Sequence, residues 1–284
     1  MGDEFADSRG LLVAIAYEVT GSVADAEDVV QEAWLRWREV DQDSVRDPRA
    51  YLARTVSRLA LNRLRTVARR REEYVGPWLP EPLVDRDEVV AAIETADDVS
   101  TALLVVLESL GPVERVVFVL REVFGFEYDE IASAVGKQPA TVRQVAARAR
   151  AHVTARRPRQ PFVPEDHRRA VERFRAAAAD GDVLGLLDVL APDVELVTDG
   201  GGLKKAALRP IHGTDKVLRF LAAVVPQDAV VTTEPVAVNG RPGLLLLLDG
   251  EVDAVVSMEL REGLVTRLFL VRNPEKVAAA MGAG

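Results

Sequence analysis

Apolar residues recur every three to four positions through the first 70 residues, the spacing of one buried helix face. Leu11, Leu12, Ile15 and Val19 form a first stripe, and GSVADAEDVVQEAWLRW continues it from Ala26 to Trp37. The stretch DPRAYLARTVSRLALNRLRTVARRR then opens on Pro48 behind a capping Asp47, which predicts a third helix. Its buried face is Leu52, Thr55, Val56, Leu59, Ala60 and Leu64, so Arg54, Arg58, Asn62, Arg65 and Arg69 project elsewhere as a stripe. Further along, Val99 to Leu110 is an apolar helix and GPVERVVFVLREVFGF a second one opening at Pro112. A short helix from Tyr128 to Val135 stops at Gly136, and Pro139 presets the next. Two helices joined by a glycine-containing turn of this length make a helix-turn-helix. In its second helix Val142, Val145, Ala146 and Ala149 fall on the packing face, and Arg143, Gln144, Ala147 and Arg148 on the opposite one.

The period changes after RRPRQPFVPED. Helices DHRRAVERFRAAAAD and DVLGLLDVLA are followed by strand-like segments VELVTD, VVTTEPVAV, PGLLLLLDG, VDAVVSMEL and GLVTRLFLV. Asn239-Gly240, Asp249-Gly250 and Glu262-Gly263 mark turns between them, so the region reads as an α+β domain with an antiparallel sheet. Between the helical pieces lies YVGPWLPEPL, Tyr74 to Leu83. A flexible tether has no use for large apolar groups, yet this one carries Trp78, Leu79 and Leu83 among Pro77, Pro80 and Pro82.

Composition narrows the chemistry. The 284 residues include no cysteine, and the only histidines are His152, His167 and His212, which leaves no thiolate nucleophile, disulfide framework or structural zinc site. No metal and no cofactor are expected. The N-terminus lacks the layout of a signal peptide and the longest apolar run, at 244 to 248, is too short for a bilayer, so the expected location is cytoplasmic, with no membrane partner. The net charge is −9, but it is unevenly distributed. Residues 46 to 71 hold nine arginines against Asp47, and Lys137 to Pro164 hold seven bases and no acid. Two basic blocks in an acidic protein are the expected form of two separate phosphate-facing surfaces.

The order of these motifs resembles the extracytoplasmic-function (ECF) sigma factors, alternative sigma subunits of bacterial RNA polymerase. DAEDVVQEAWLR is similar to their polymerase-clamp-binding helix, YLARTVSRLALNRLR to the helix that melts and reads the −10 element, and VFVLREVFGFEYDEIASAVGKQPATVRQVAARAR to the −35-reading helix-turn-helix. YVGPWLPEP, DGGG at 199 to 202 and RNPEK at 272 to 276 look like motifs of the SigJ-like group, which carries a C-terminal SnoaL-like domain. Leu203 separates the glycines from Lys204 and Lys205, where the family motif continues directly with lysine.

The resemblance implies two all-α sigma domains followed by a SnoaL/NTF2-like cone-shaped domain. The expected boundaries are residues 1–72, a linker at 73–98, 99–158 and 159–284. Core polymerase, through its largest-subunit clamp and its flap, is the implied partner of Asp28, Gln31, Glu32 and Leu35. Promoter DNA is the implied partner of Arg54, Arg58, Asn62, Arg63, Arg65 and Arg69 at −10, and of Lys137, Thr141, Arg143, Gln144, Ala147 and Arg148 at −35. The loop from Asp41 to Arg49 corresponds to the one that captures an unstacked base. Trp78, Leu79 and Pro80, with Asp199, Gly200, Gly201, Gly202, Asn273, Pro274 and Lys276, form the expected inter-domain regulatory set. Asp85, Asp87 and Glu88 either follow an acidic path through the polymerase channel or only solvate the chain. With regulation attached in cis, a separate anti-sigma protein is not expected to be required.

Two other readings of the residues stay open: a one-component regulator sensing an apolar ligand, and a fused SnoaL-type enzyme using Asp199, Asp215, Asp253 or His212 as acid or base. His212 has no evident second titratable group, so no catalytic residue is assigned.

Overall fold

The computed structural model describes residues 4–72, 74–84, 100–156, 162–179, 182–226 and 228–282. They fall into two compact units. Described residues up to 72 and from 100 to 156 make the first; those from 74 to 84 and from 162 onward make the second. The apolar stretch expected as the start of a tether is therefore part of the second unit. Arg69, Asp85, Asp87 and Glu88 lie outside the residues whose side chains are described.

In the first unit, α1 (Glu4–Thr20), α2 (Val23–Arg38) and α3 (Pro48–Glu72) are set by local signals. Gly21 turns the chain at φ 70°, Ser22 accepts the Asp25 amide, and Asp47 accepts the Ala50 amide at 3.0 Å. Each polar cap satisfies an amide that the helix itself leaves without a partner. The apolar stripes meet in a core that includes Leu12, Ile15, Tyr17, Ala33, Trp37, Leu52 and Val56.

α4 (Thr101–Glu108) follows, then α5 (Pro112–Phe118), α6 (Tyr128–Val135) and α7 (Pro139–Arg156). The predicted continuous helix after Pro112 instead widens into a π-turn at Val119–Val123. It closes with the Phe126 amide on the Leu120 carbonyl. Gly136 ends α6 at φ 66°, as the pattern predicted. Arg115, 1% exposed, donates from Nε and Nη2 to the Glu18 carbonyl (3.2 and 3.1 Å) and from Nη1 to Glu108 (2.6 Å). A residue of α5 thereby satisfies an end carbonyl of α1 and ties the two helical halves of this unit together.

The second unit orders its six strands β2-β1-β6-β5-β4-β3. These are β1 (Leu190–Asp199), β2 (Ile211–His212), β3 (Val231–Val238), β4 (Arg241–Leu248), β5 (Glu251–Arg261) and β6 (Leu264–Val271). Only β1 and β6 run parallel. The three predicted turns are present, with Asn239, Asp249 and Glu262 at positive φ ahead of their glycines. Register shifts at Leu190/Glu195, Leu246/Leu247 and Glu259/Leu260 interrupt the ladder, and such bulges curve a sheet.

Helices α8 (Pro164–Ala179), α9 (Val183–Leu187) and α10 (Thr214–Val224) accompany this sheet. Phe174, Leu190, Val194, Val217, Met258, Leu268 and Leu270 form the core of one face. The opposite face carries Val238, Leu245, Leu247 and Val255, and it is covered by Val84 from the proline-rich stretch and by Ala280 and Met281 around the end of α11 (Pro274–Ala280). The short helices α10 and α11 and strand β2 were not predicted from the sequence.

Candidate functional site

α2 buries Ala26, Val29, Val30, Ala33 and Trp37, which leaves Asp28, Gln31, Glu32 and Leu35 together on its exposed side. Leu35 is 50% exposed, and Trp34, which the sequence pattern did not single out, is 37% exposed beside it. An apolar pair framed by carboxylates suits an exchangeable protein contact better than a solvated surface.

On α3 the predicted stripe divides into residues with different partners. Arg63 donates to Asp25 at 2.7 Å and lies 3.5 Å from Asp28, so it ties α3 to α2. Asn62 and Arg65 are exposed. Arg58 donates to the Ser133 carbonyl (2.9 Å) and Arg54 to the Ser133 hydroxyl (3.4 Å), both on α6 of the helix-turn-helix. Arg54 also stacks over Tyr51. Next to them is a cleft of about 370 Å³ lined by Ser44, Val45, Arg46, Asp47, Tyr51 and Arg54, and also by Glu130 and Ser133 of α6. The loop expected to capture a base therefore shares its cleft with the helix-turn-helix.

On α7, Lys137 just before it and Thr141, Arg143, Gln144, Ala147 and Arg148 are all exposed, while Val142, Val145, Ala146 and Ala149 are buried. The spacing predicted this division position by position.

The residues expected as an inter-domain regulatory set instead come together within the second unit. Asp199, at the end of β1, is fully buried, and its carboxylate accepts four hydrogen bonds. They come from the Tyr74 hydroxyl (2.6 Å), the Leu79 amide (2.9 Å), the Gly201 amide (3.0 Å) and Lys276 Nζ (2.7 Å). Lys276, 3% exposed, also donates to the Leu79 carbonyl and sits 3.1 Å from the centroid of the Trp78 ring. A desolvated ammonium on a tryptophan face is a strong form of cation–π contact. Asn273 caps α11 through the Glu275 amide and donates to the Tyr74 hydroxyl at 2.8 Å. Burial, followed by the neighbouring Asp199 carboxylate, holds the Tyr74 phenol well above its ordinary range.

The glycines permit close approach. A Cβ on Gly201 would lie 2.6 Å from the Asn273 side chain, and one on Gly202 would lie 3.3 Å from Val75. Tyr74 was not singled out from the sequence; its position just ahead of the WLPEP stretch was the available signal. Pro80 is buried and Pro274 starts α11. Of the two lysines after the glycines, Lys204 reaches Asp253 (2.9 Å) and Lys205 the Ala223 carbonyl (2.8 Å).

Two of the carboxylates considered for acid-base work, Asp199 and Asp253, are committed to cations. Burial pushes Asp253 up, but the Arg272 and Lys204 hydrogen bonds outweigh it and hold the carboxyl below its ordinary value. Asp199 is bound as described, and Asp215 is exposed. His212 is exposed, 3.9 Å from Glu195.

A helical pair with a basic third helix, joined to a helix-turn-helix, defines a protein with two DNA-facing modules, and comparison with known families places both. Residues 5–71 match Sigma-70 region 2 and residues 100–153 match Sigma-70, region 4. Across 96% of the chain, and 92% of the relative, it is 40% identical to the ECF RNA polymerase sigma factor SigJ of Mycobacterium tuberculosis. It is 32% identical to the probable ECF RNA polymerase sigma factor SigI of the same species, over 97% of this chain and 95% of the relative. The crystal structure of Mycobacterium tuberculosis SigJ superposes with a TM-score of 0.81 at 38% identity, covering 99% of both chains. The chain belongs to the ECF RNA polymerase sigma factors, and to those with a C-terminal SnoaL-like domain; its function is transcription initiation. No described helix is long and apolar enough to cross a membrane.

Proposed function

We propose that this sigma factor is restrained in cis, by its own C-terminal unit and by its own helix-turn-helix, and that it catalyses no reaction. The observation that carries the first half is the hold on Leu79, whose amide and carbonyl are both bonded by the buried Asp199–Lys276 pair. This chain segment joins the promoter-facing helix α3 to region 4, so fixing its first residues limits how far those two regions can separate. The second half rests on Arg54 and Arg58, which bond Ser133 where they would otherwise face DNA. Restraint supplied within one chain makes a separate anti-sigma protein unnecessary.

In the released form, Asp28, Gln31, Glu32 and Leu35 engage the clamp of core polymerase, α3 engages the −10 element, and α7 the −35 element, while region 4 meets the flap. The protein acts in the cytoplasm. The absence of catalysis is supported by Asp199 and Asp253, which are committed to cations in ion pairs.

The test is run-off transcription with purified core polymerase, comparing wild type with Trp78→Ala in the full chain. Loosening the latch should change promoter output while both units remain folded. Unchanged output and unchanged polymerase affinity would remove the regulatory claim and leave the sigma assignment in place.

A further inference from the structure

Tyr128 opens α6, and its ring has an arginine guanidinium near it from each of two elements. Arg121 lies 4.6 Å and Arg143 5.5 Å from the ring centroid. These two arginines and Arg150, further along α7, have different commitments. Arg150 is held in a two-pronged pair with Glu122, at 3.0 and 2.6 Å. Arg121 donates from Nη1 to the Phe126 carbonyl and to Glu127. Arg143 makes no hydrogen bond or ion pair among the described residues, and the ring is its partner there.

Stacking differs from ion pairing in what it leaves available. A carboxylate occupies the in-plane N–H fork of a guanidinium, whereas an aromatic face engages the flat surface and leaves all five donors free. The fork is the part that reads a guanine edge bidentately. An exposed arginine on a helix otherwise samples many rotamers and loses that freedom on binding. From this arrangement we infer that Tyr128 is a positioning residue for promoter selectivity: it stacks on Arg143, presents its free fork outward from α7, and leaves Arg150, occupied by Glu122, out of base reading. This rests on the reading that α7 contacts the −35 element.

The experiment is run-off transcription by full-length protein with core polymerase on a promoter library randomised across the −35 element. The quantity read is base preference at each position. Arg143→Ala should flatten preference at one position by about 5- to 150-fold, the range for losing a bidentate base contact. Tyr128→Leu should flatten the same position by about two- to fivefold, the range for an exposed cation–π contact. Tyr128→Phe, which keeps the ring, should restore the preference. In the Arg143→Ala background Tyr128→Leu should add nothing.

If Arg143→Ala leaves every position unchanged, the −35 reading of this residue fails. If Arg143→Ala acts but Tyr128→Leu does not, or acts equally in both backgrounds, the positioning role is overturned and the −35 reading stands. Should Tyr128→Leu fail to fold, trifluorophenylalanine at position 128 preserves the shape and weakens the ring's negative face. Preference must then fall as it would for Leu, and an unchanged preference overturns the inference.

Discussion

Replacing Lys276 with methionine removes an ammonium while keeping most of the side-chain volume. The structure gives the size of the effect. Asp199 is fully buried and would lose its cation partner among the described residues, and removing one partner of such a pair costs about 3–5 kcal/mol. Three donors remain on the carboxylate, from Tyr74, Leu79 and Gly201. They continue to stabilise its charge, which places the expected loss near about 3 kcal/mol. For a unit of this size that corresponds to a melting temperature lower by roughly 10 °C. Calorimetry on the full chain is the assay, because the helical unit supplies an internal control whose transition should stay put. Hydrogen exchange at Leu79 should rise together with the loss. Pairing Lys276→Met with Asp199→Asn removes both charges and should recover part of the stability, since an uncharged buried pair no longer leaves a lone ion. Should Lys276→Met melt within a degree or two of wild type, the ion pair does not hold the linker. Should the double variant be no better than the single one, the cost is one of packing and the electrostatic reasoning fails.

Other outcomes follow from the same contacts. Burial, with Arg241 adding to it, lowers the His167 pKa from 6.5 to about 4, and Nε2 bonds the Met258 carbonyl, so the folded protein holds this ring neutral. Its contribution is complete above pH 6.5 and is lost as pH falls toward 4, with roughly 2 kcal/mol gone at pH 5. His167→Phe should flatten the melting curve in that window, and an equally steep acid dependence in the variant would assign the loss elsewhere. Arg115→Met removes the hydrogen bonds this side chain gives to the Glu18 carbonyl and the Glu108 carboxylate, at a cost of about 3 kcal/mol. It should speed amide exchange in the last turn of α1 and strengthen binding of single-stranded −10 DNA; weaker or unchanged binding counts against a self-restrained helical unit. Gly201→Ala combines a φ of 63° with a 2.6 Å clash on Asn273 and should destabilise the C-terminal unit by about 1–3 kcal/mol, read by urea unfolding.

Much of the helical unit was legible because its signals are local. Gly136, Pro139 and the period of α7 fix the helix-turn-helix within a few residues of sequence. The arginine stripe of α3 was equally visible, but its division was not. Arg63 looks the same as Arg65 until Asp25, 38 residues away, comes alongside it. The π-turn at Val119–Val123 also escaped, since widening a helix by one residue leaves its apolar composition unchanged. In the C-terminal unit, Trp78, Leu79 and Leu83 signalled that the linker binds something. The sequence did not indicate what, because the Asp199–Lys276 pair joins residues 77 apart and Tyr74 meets Asn273 across 199.

The placement of these segments changes how truncations should be read. The outward face of the sheet, with Leu245, Leu247 and Val255, is covered by Val84 from one end of the unit and by Ala280 and Met281 from the other. Cutting the chain after Val271 removes α11 and Lys276 together, which uncovers apolar surface and strips Asp199 of its cation in one step. Deleting everything from residue 165 leaves Leu79, Leu83 and Val84, each at most 6% exposed in the intact protein, with no sheet to cover them. Either shortened chain would differ from wild type through newly exposed hydrophobic surface, whether or not restraint is lost. A changed promoter output would then carry no information about restraint. Substitutions that open the latch while keeping the sheet covered, Trp78→Ala and Lys276→Met, separate the two effects.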